Sequence, residues 1–125
     1  MRNGVDLTGY RVLVVEDNFL LAMEIEDVLR RHGCVVLGPV GAVDQALALL
    51  ELEARPDVAV LDVDLQGRSV TPVAAVLSAR EVPFVLVTGY ADPQLAEPEL
   101  QGRPRLDKPV SGPDLLRALS SALRR

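Results

Sequence analysis

Tryptophan is absent, and two phenylalanines and two tyrosines are the only aromatic residues. A base-stacking surface of the kind that grips single-stranded nucleic acid is therefore not available. Cationic residues are also outnumbered: 13 Lys and Arg face 18 Asp and Glu, for a formal charge of −5. Nucleic-acid binding draws most of its affinity from cations that neutralise phosphates, and the Arg124-Arg125 ending is too short to reverse the balance. The one cysteine, Cys34, can form no internal disulfide, and with one histidine, His32, no Cys/His set is present to hold zinc or an iron–sulfur centre. A reducing cytoplasm is the expected setting. No apolar run approaches the roughly 18–20 residues that span a bilayer, and the opening Met1-Arg-Asn-Gly-Val-Asp6 lacks the apolar stretch of a secretory signal, so no membrane association is expected.

What is present is a chain of 125 residues, 49% hydrophobic and 25% charged, which is enough for one hydrophobic core and implies a single domain over 1–125 with its core at about 10–123. Arg11-Val-Leu-Val-Val15 reads as a buried strand, and Glu16-Asp17-Asn18 as the polar loop and helix cap that follow. Leu21, Ile25, Val28 and Leu29 then recur at helical spacing as far as Gly33, and Cys34–Leu37 reads as a second strand. Val43, Ala46, Leu47 and Leu50 repeat the helical pattern before Arg55-Pro56 stops it.

The third strand is Asp57–Leu61, ending in Asp62-Val-Asp64-Leu-Gln-Gly67. Pro72 fits the first turn of a helix reaching about Arg80, and Pro83–Val87 is the fourth strand, closed by Thr88-Gly89. Pro93 and Pro98 restrict the helix between Ala91 and Gly102 to a short or mobile element. A brief strand near Pro104–Leu106 and a helix lined by Leu115, Leu116, Leu119, Ala122 and Leu123 complete the chain. Five strands alternating with about five helices call for an α/β fold: a doubly wound, flavodoxin-like parallel sheet of order 2-1-3-4-5.

In such sheets ligands bind beyond the carboxyl ends of the strands. The loops that meet there carry Glu16-Asp17, Asp62, Thr88 and Lys108. Taken singly, each has a plain structural use: an acidic pair can cap a helix, an Asp can end a strand, and Thr-Gly can make a turn. Together they bring three carboxylates, a hydroxyl and an ammonium to one place. Crowded carboxylates repel unless a cation neutralises them, and Mg²⁺, which takes oxygen ligands and phosphate oxygens, suits Glu16, Asp17 and Asp62. An outward Asp62 oxygen would then be a nucleophile for phosphoryl transfer, with Lys108 and Thr88 holding the transferred oxygens.

Read motif by motif, the chain resembles the bacterial response-regulator receiver family from about Tyr10 to Leu123: Val14-Val-Glu-Asp17 resembles its acidic pair, Val60-Leu-Asp-Val-Asp64 its phosphoacceptor strand, Val87-Thr-Gly89 its switch hydroxyl, and Leu106-Asp-Lys-Pro109 its lysine-proline ending. The resemblance implies that Asp62 is the phosphoacceptor, that Asp17 and Asp62 ligate Mg²⁺ directly, Glu16 through water and Asp64 by its backbone carbonyl, and that Lys108–Pro109 is a cis peptide. It implies a sensor histidine kinase or histidine phosphotransfer protein as phosphodonor, a downstream protein partner, a monomer or weak dimer, and no enzymatic turnover of a separate substrate. A stand-alone receiver is the expectation, used as a relay shuttle, a phosphate sink or a contact switch; a domain cut from a longer protein would look the same. The competing readings are a receiver-like interaction module without phosphoryl chemistry and a small phosphatase in which Asp64 is a second acid.

The match departs from the family in the loop after the acceptor, where Gln66 and Val70 replace the usual proline and glycine and the segment is shortened. The Pro83-Phe84…Thr88-Gly89-Tyr90 run instead resembles the receiver subgroup named for a Phe-Ala-Thr-Gly-Tyr-like motif, with Val87 in place of its alanine. Arg105 stands where ordinary receivers keep a switch aromatic. The switch is accordingly expected to use Thr88, Tyr90 and the Ala91–Gly102 segment. Phe19, Leu20 and Met23 cannot all face the core with Leu21 and Ile25, so an exposed apolar patch beside the acidic pair is expected, suited to docking a histidine-bearing helical bundle.

Overall fold

The computed structural model describes residues 6–52, 55–89 and 92–124. In chain order these form β1 (Arg11–Val15), α1 (Phe19–Arg31), β2 (Val35–Val40), α2 (Val43–Glu51), β3 (Val58–Asp62), β4 (Asp64–Leu65), β5 (Arg68–Ser69), α3 (Thr71–Ala79), β6 (Phe84–Thr88), a 3₁₀ turn at Pro93–Ala96, β7 (Arg105–Asp107) and α4 (Gly112–Leu123). Five strands make one parallel sheet in the order β2-β1-β3-β6-β7, the flavodoxin-like 2-1-3-4-5 pattern once the short β4–β5 pair is set aside.

The continuous apolar runs become the central strands because both faces of the sheet are covered. Leu13, Leu61 and Leu86 point to one face, where α2 and α3 contribute Ala46, Leu50, Val73 and Leu77. Val12, Val14, Val60 and Val85 point to the other, against Ile25 and Leu29 of α1 and Leu115 and Leu119 of α4. Alternation along a strand thus supplies two cores from one run of residues.

Helix ends follow local chemistry. The Asn18 side chain caps α1 by accepting from the Leu21 N–H at 2.9 Å, and Arg30 and Arg31 sit in its last turn, where the helix dipole favours cations. Ser111 caps α4 by accepting from the Asp114 N–H at 3.1 Å, and Pro72 lies in the first turn of α3. Cys34 is buried in the core and His32 ends α1, as their positions imply.

Three features differ from the sequence reading. Among the described residues the helices are four α-helices and a four-residue 3₁₀ turn, because Pro93 opens the turn and the backbone of Glu97 is already extended ahead of Pro98. β2 does not stop at Leu37: it bulges at Gly38-Pro39 and rejoins β1 through the Val15–Val40 pair. The loop after Asp62 contains an antiparallel hairpin, β4–β5, turned by Gln66 (φ 55°) and Gly67 (φ 82°), two successive left-handed residues that reverse the chain in two steps. The Lys108–Pro109 peptide is cis, as is Gly38–Pro39.

Candidate functional site

Sheet topology places the ends of β1, β3, β6 and β7 side by side, and the chemistry collects there. One carboxylate oxygen from each of Glu16, Asp17 and Asp62 lies within 4.8 Å of the others. Glu16 and Asp62 are each only 3% exposed. Lys108 reaches in from the loop after β7, its Nζ 3.3 Å from Asp62 Oδ2 and 3.7 Å from Glu16 Oε2. Asp17, Asp62 and Lys108 line an open cleft of about 400 Å³ together with Asn18, Asp64 and Asp92. A larger depression of about 580 Å³ lies at the opposite, amino end of the sheet near Phe84 and Arg103, remote from the carboxylates.

Backbone bonds hold the acidic residues in place. The Glu16 N–H donates to the Val40 carbonyl at 2.9 Å, and the Asn18 N–H donates to Glu16 Oε2 at 3.0 Å. The Asp64 N–H donates to Asp62 Oδ1 at 3.2 Å. Lys108 is anchored by its own N–H, which donates to the Thr88 carbonyl at 2.9 Å.

Charge at this end is unbalanced. Burial, then the hydrogen bond and the negative charge of Glu16, push the Asp62 carboxyl up to about 8, against the opposing pull of Lys108 and the Asp64 N–H. Lys108 is raised too: desolvation works against its charged form, but the carboxylates of Asp62 and Glu16 outweigh it. Glu16 Oε1 is buried without a hydrogen-bond partner, a lone pair left open in a site already short of positive charge. Three hard oxygen donors, one orphaned, facing a single ammonium are a donor set that fits a small divalent cation such as Mg²⁺.

Of the residues the sequence singles out, Glu16, Asp17, Asp62 and Lys108 converge. Thr88 is buried at the same strand end, with its hydroxyl donating to the Gly89 carbonyl at 2.9 Å. The Asp64 side chain serves the hairpin, accepting from the Gly67 N–H at 2.9 Å, while its backbone N–H is the one that donates to Asp62. Arg105 is exposed and paired in register with Leu86, outside the cluster, and Tyr90 lies outside the described residues.

The sequence reading missed the ties between the hairpin and the segment after β6. The hydroxyls of Ser69 and Thr71 both donate to Glu97 Oε1, Ser69 at 3.1 Å, and Gln94 Nε2 stands 3.5 Å from Asp64 Oδ1. No periodic pattern marks such contacts, which join residues far apart in the chain. The Asp92-Pro93 pair, a cap followed by a first-turn proline, was the local signal available for the turn itself.

Comparison with known proteins agrees with this geometry. Residues 12–120 match the response regulator receiver domain family. The structure is similar to that of SdrG from Sphingomonas melonis Fr1, at 39% identity and a TM-score of 0.80, covering 94% of this chain and 98% of that one. It is also similar to the signal receiver domain of a modulated diguanylate cyclase from Desulfovibrio desulfuricans G20, at 29% identity and a TM-score of 0.81, covering 93% and 94%. In sequence it is 31% identical over 118 residues to the transcriptional regulatory protein PdtaR of Mycobacterium tuberculosis, covering 92% of this chain but only 57% of PdtaR. By strand order, by the acid and lysine cluster at the strand ends and by these matches, the chain belongs to the response regulator receiver domain family of two-component signalling.

Proposed function

We propose that Asp62 accepts a phosphoryl group from a phosphohistidine on a sensor histidine kinase or histidine phosphotransfer protein, and that the phosphorylated surface switches contacts with a downstream protein. The observation that carries this reading is the position of Asp62, buried at the end of β3 between the acidic pair and the Lys108 ammonium. An Asp62 carboxylate oxygen attacks phosphorus in line. The P–N bond breaks with its electron pair left on the imidazole, and an acyl phosphate forms.

Mg²⁺, held by Glu16, Asp17, Asp62 and the Asp64 carbonyl, would supply neutralisation of the crowded oxygens. Lys108, already 3.3 Å from Asp62 Oδ2, balances charge on the phosphoryl oxygens. The Thr88 hydroxyl turns from the Gly89 carbonyl to donate to one of them. This chemistry is self-directed: the chain takes up a phosphoryl group and loses it by hydrolysis, and it turns over no separate substrate. The single thiol, buried as Cys34, is consistent with a cytoplasmic setting.

Phe19, Leu20 and Met23 of α1 are 77%, 65% and 49% exposed beside the acidic pair, an apolar rim that supports docking of the donor's helical bundle there. The Pro83-Phe84…Thr88-Gly89-Tyr90 run supports the Phe-Ala-Thr-Gly-Tyr-like subgroup, and with Arg105 in place of an aromatic, rotation of Thr88 is read out by Tyr90 and the Ala91–Gly102 segment. Relaxation-dispersion NMR with beryllofluoride as phosphoryl mimic tests that last point, and an unchanged segment would rule it out.

Intact-mass spectrometry after incubation with acetyl phosphate tests the central reading. One phosphoryl adduct is expected, lost without Mg²⁺ and lost in Asp62→Asn. Neither adduct nor metal binding by the parent protein would overturn it in favour of an interaction module that works without phosphorylation. Leu20→Ser should slow transfer from a protein donor while leaving labelling by acetyl phosphate intact.

A further inference from the structure

Gly41, the first residue after β2, lies against the backbone of the acidic pair. A Cβ at this position would stand 3.3 Å from Asp17 Cα, 3.6 Å from the Glu16 carbonyl oxygen and 3.7 Å from Asp17 Cβ. Its φ is outside the left-handed region, so alanine satisfies the local dihedral and Asp17 is the obstacle. Such a contact is relieved only when a neighbour gives by a few tenths of an ångström.

The loop is held close from both sides. The Gly41 N–H donates to Gln45 Oε1 at 3.1 Å, in place of the side-chain cap that Ala42 cannot give α2. The preceding carbonyl, that of Val40, accepts from the Glu16 N–H at 2.9 Å. This contact exists because β2 bulges at Gly38 (φ 94°), where a Cβ would lie 2.8 Å from the Val40 nitrogen and 2.9 Å from the Val14 carbonyl oxygen. The end of β2 is thereby laid against Glu16, and Gly41, the next residue, against Asp17.

We propose that Gly41 is a positioning residue for the metal site, and that its missing side chain sets Asp17 at the depth that favours a small octahedral cation over a larger one. The inference rests on the metal-binding reading given above. Mg²⁺ binds oxygen at about 2.0–2.1 Å in near-ideal octahedral order, whereas Ca²⁺ accepts about 2.3–2.6 Å and irregular shells. A shift of a few tenths of an ångström at Asp17 is of the same order as the difference between these ligand distances. The smaller, stricter ion is therefore the one penalised.

The test is an NMR titration of the unphosphorylated protein and of Gly41→Ala with Mg²⁺ and with Ca²⁺, beside thermal unfolding of both proteins without metal. Loss of an outer-shell contact at a metal site costs ~10–100-fold in affinity, and Gly41→Ala is expected at the lower end, with about a tenfold loss for Mg²⁺. Ca²⁺ affinity should change by less than about threefold, so the Mg²⁺/Ca²⁺ preference falls, while the metal-free unfolding temperature stays within a few degrees. Equal loss for both ions, or no change for either, overturns the positioning role while the parent's own Mg²⁺ binding still upholds the metal site. A parent protein that binds no Mg²⁺ removes both readings together.

Discussion

At the amino end of the sheet, the Arg103 guanidinium lies 4.4 Å over the Phe84 ring and donates to Ser78 Oγ at 2.7 Å, and the Arg11 N–H donates to Asp57 Oδ2 at 2.8 Å. At the carboxyl end, two buried carboxylates share one lysine whose side chain is 33% exposed, and one of their oxygens has no partner. The same strands run between the two. The polar groups named at the amino end are satisfied within the chain and reinforce the fold, whereas those at the carboxyl end are brought together against their own repulsion in a cluster that could hold a cation.

Substitutions can separate the two ends by sign. Phe84→Ala removes a 1%-exposed ring from the amino end and should lower the unfolding free energy by about 3–5 kcal/mol in urea titration; a loss below about 1 kcal/mol would mean that end contributes little. Asp62→Asn should do the reverse, raising metal-free stability by about 2 kcal/mol at neutral pH and the melting temperature by roughly 8 °C.

The direction with pH follows from the raised carboxyl. Below the ordinary value of 3.8, Asp62 is neutral in both the folded and unfolded chain. As the pH rises from there, the unfolded carboxyl ionises while the folded one keeps its proton, so unfolding becomes easier until the folded group titrates at about 8. The advantage of Asp62→Asn over the parent should therefore grow through this window and level off above it; an advantage independent of pH would show that ionised Asp62 carries no penalty. Addition of Mg²⁺ should narrow it by stabilising the parent alone.

Smaller effects belong to a helix cap and a surface ion pair. Asn18→Ala removes the cap of α1 and should cost about 1 kcal/mol. Glu26→Gln breaks an exposed pair with Arg30 one turn away and should shift stability by less than about 0.5 kcal/mol, a baseline against which the others are read.

How much of this was legible in the sequence depends on whether the signal is local. The runs Val12–Val15, Val58–Leu61 and Phe84–Val87 name the central strands without help, because burial on both faces demands unbroken apolarity. Glu16, Asp17, Asp62 and Lys108 could be placed together since strand ends in this topology converge. The β4–β5 hairpin could not be read: two-residue strands show no alternation, and Gln66-Gly67 is a weaker turn signal than Asn-Gly. The second strand, read as Cys34–Leu37, runs on to Val40 because Gly38 supplies the backbone freedom for it to bulge and resume. The tie from Ser69 and Thr71 to Glu97 depends on folding of the sheet between them and had no trace in pattern.

The bulge in β2 also shapes the edge of the sheet. An open sheet ends in two strands whose outer amides are free to recruit another chain, a route to aggregation. Here one outer strand, β7, is three residues long, and the other is interrupted by Pro39, which has no amide hydrogen to offer. Straightening β2 by replacing both Gly38 and Pro39 would give it a longer regular border for edge-to-edge association, so the kink that carries the chain toward Glu16 also shortens the border open to pairing.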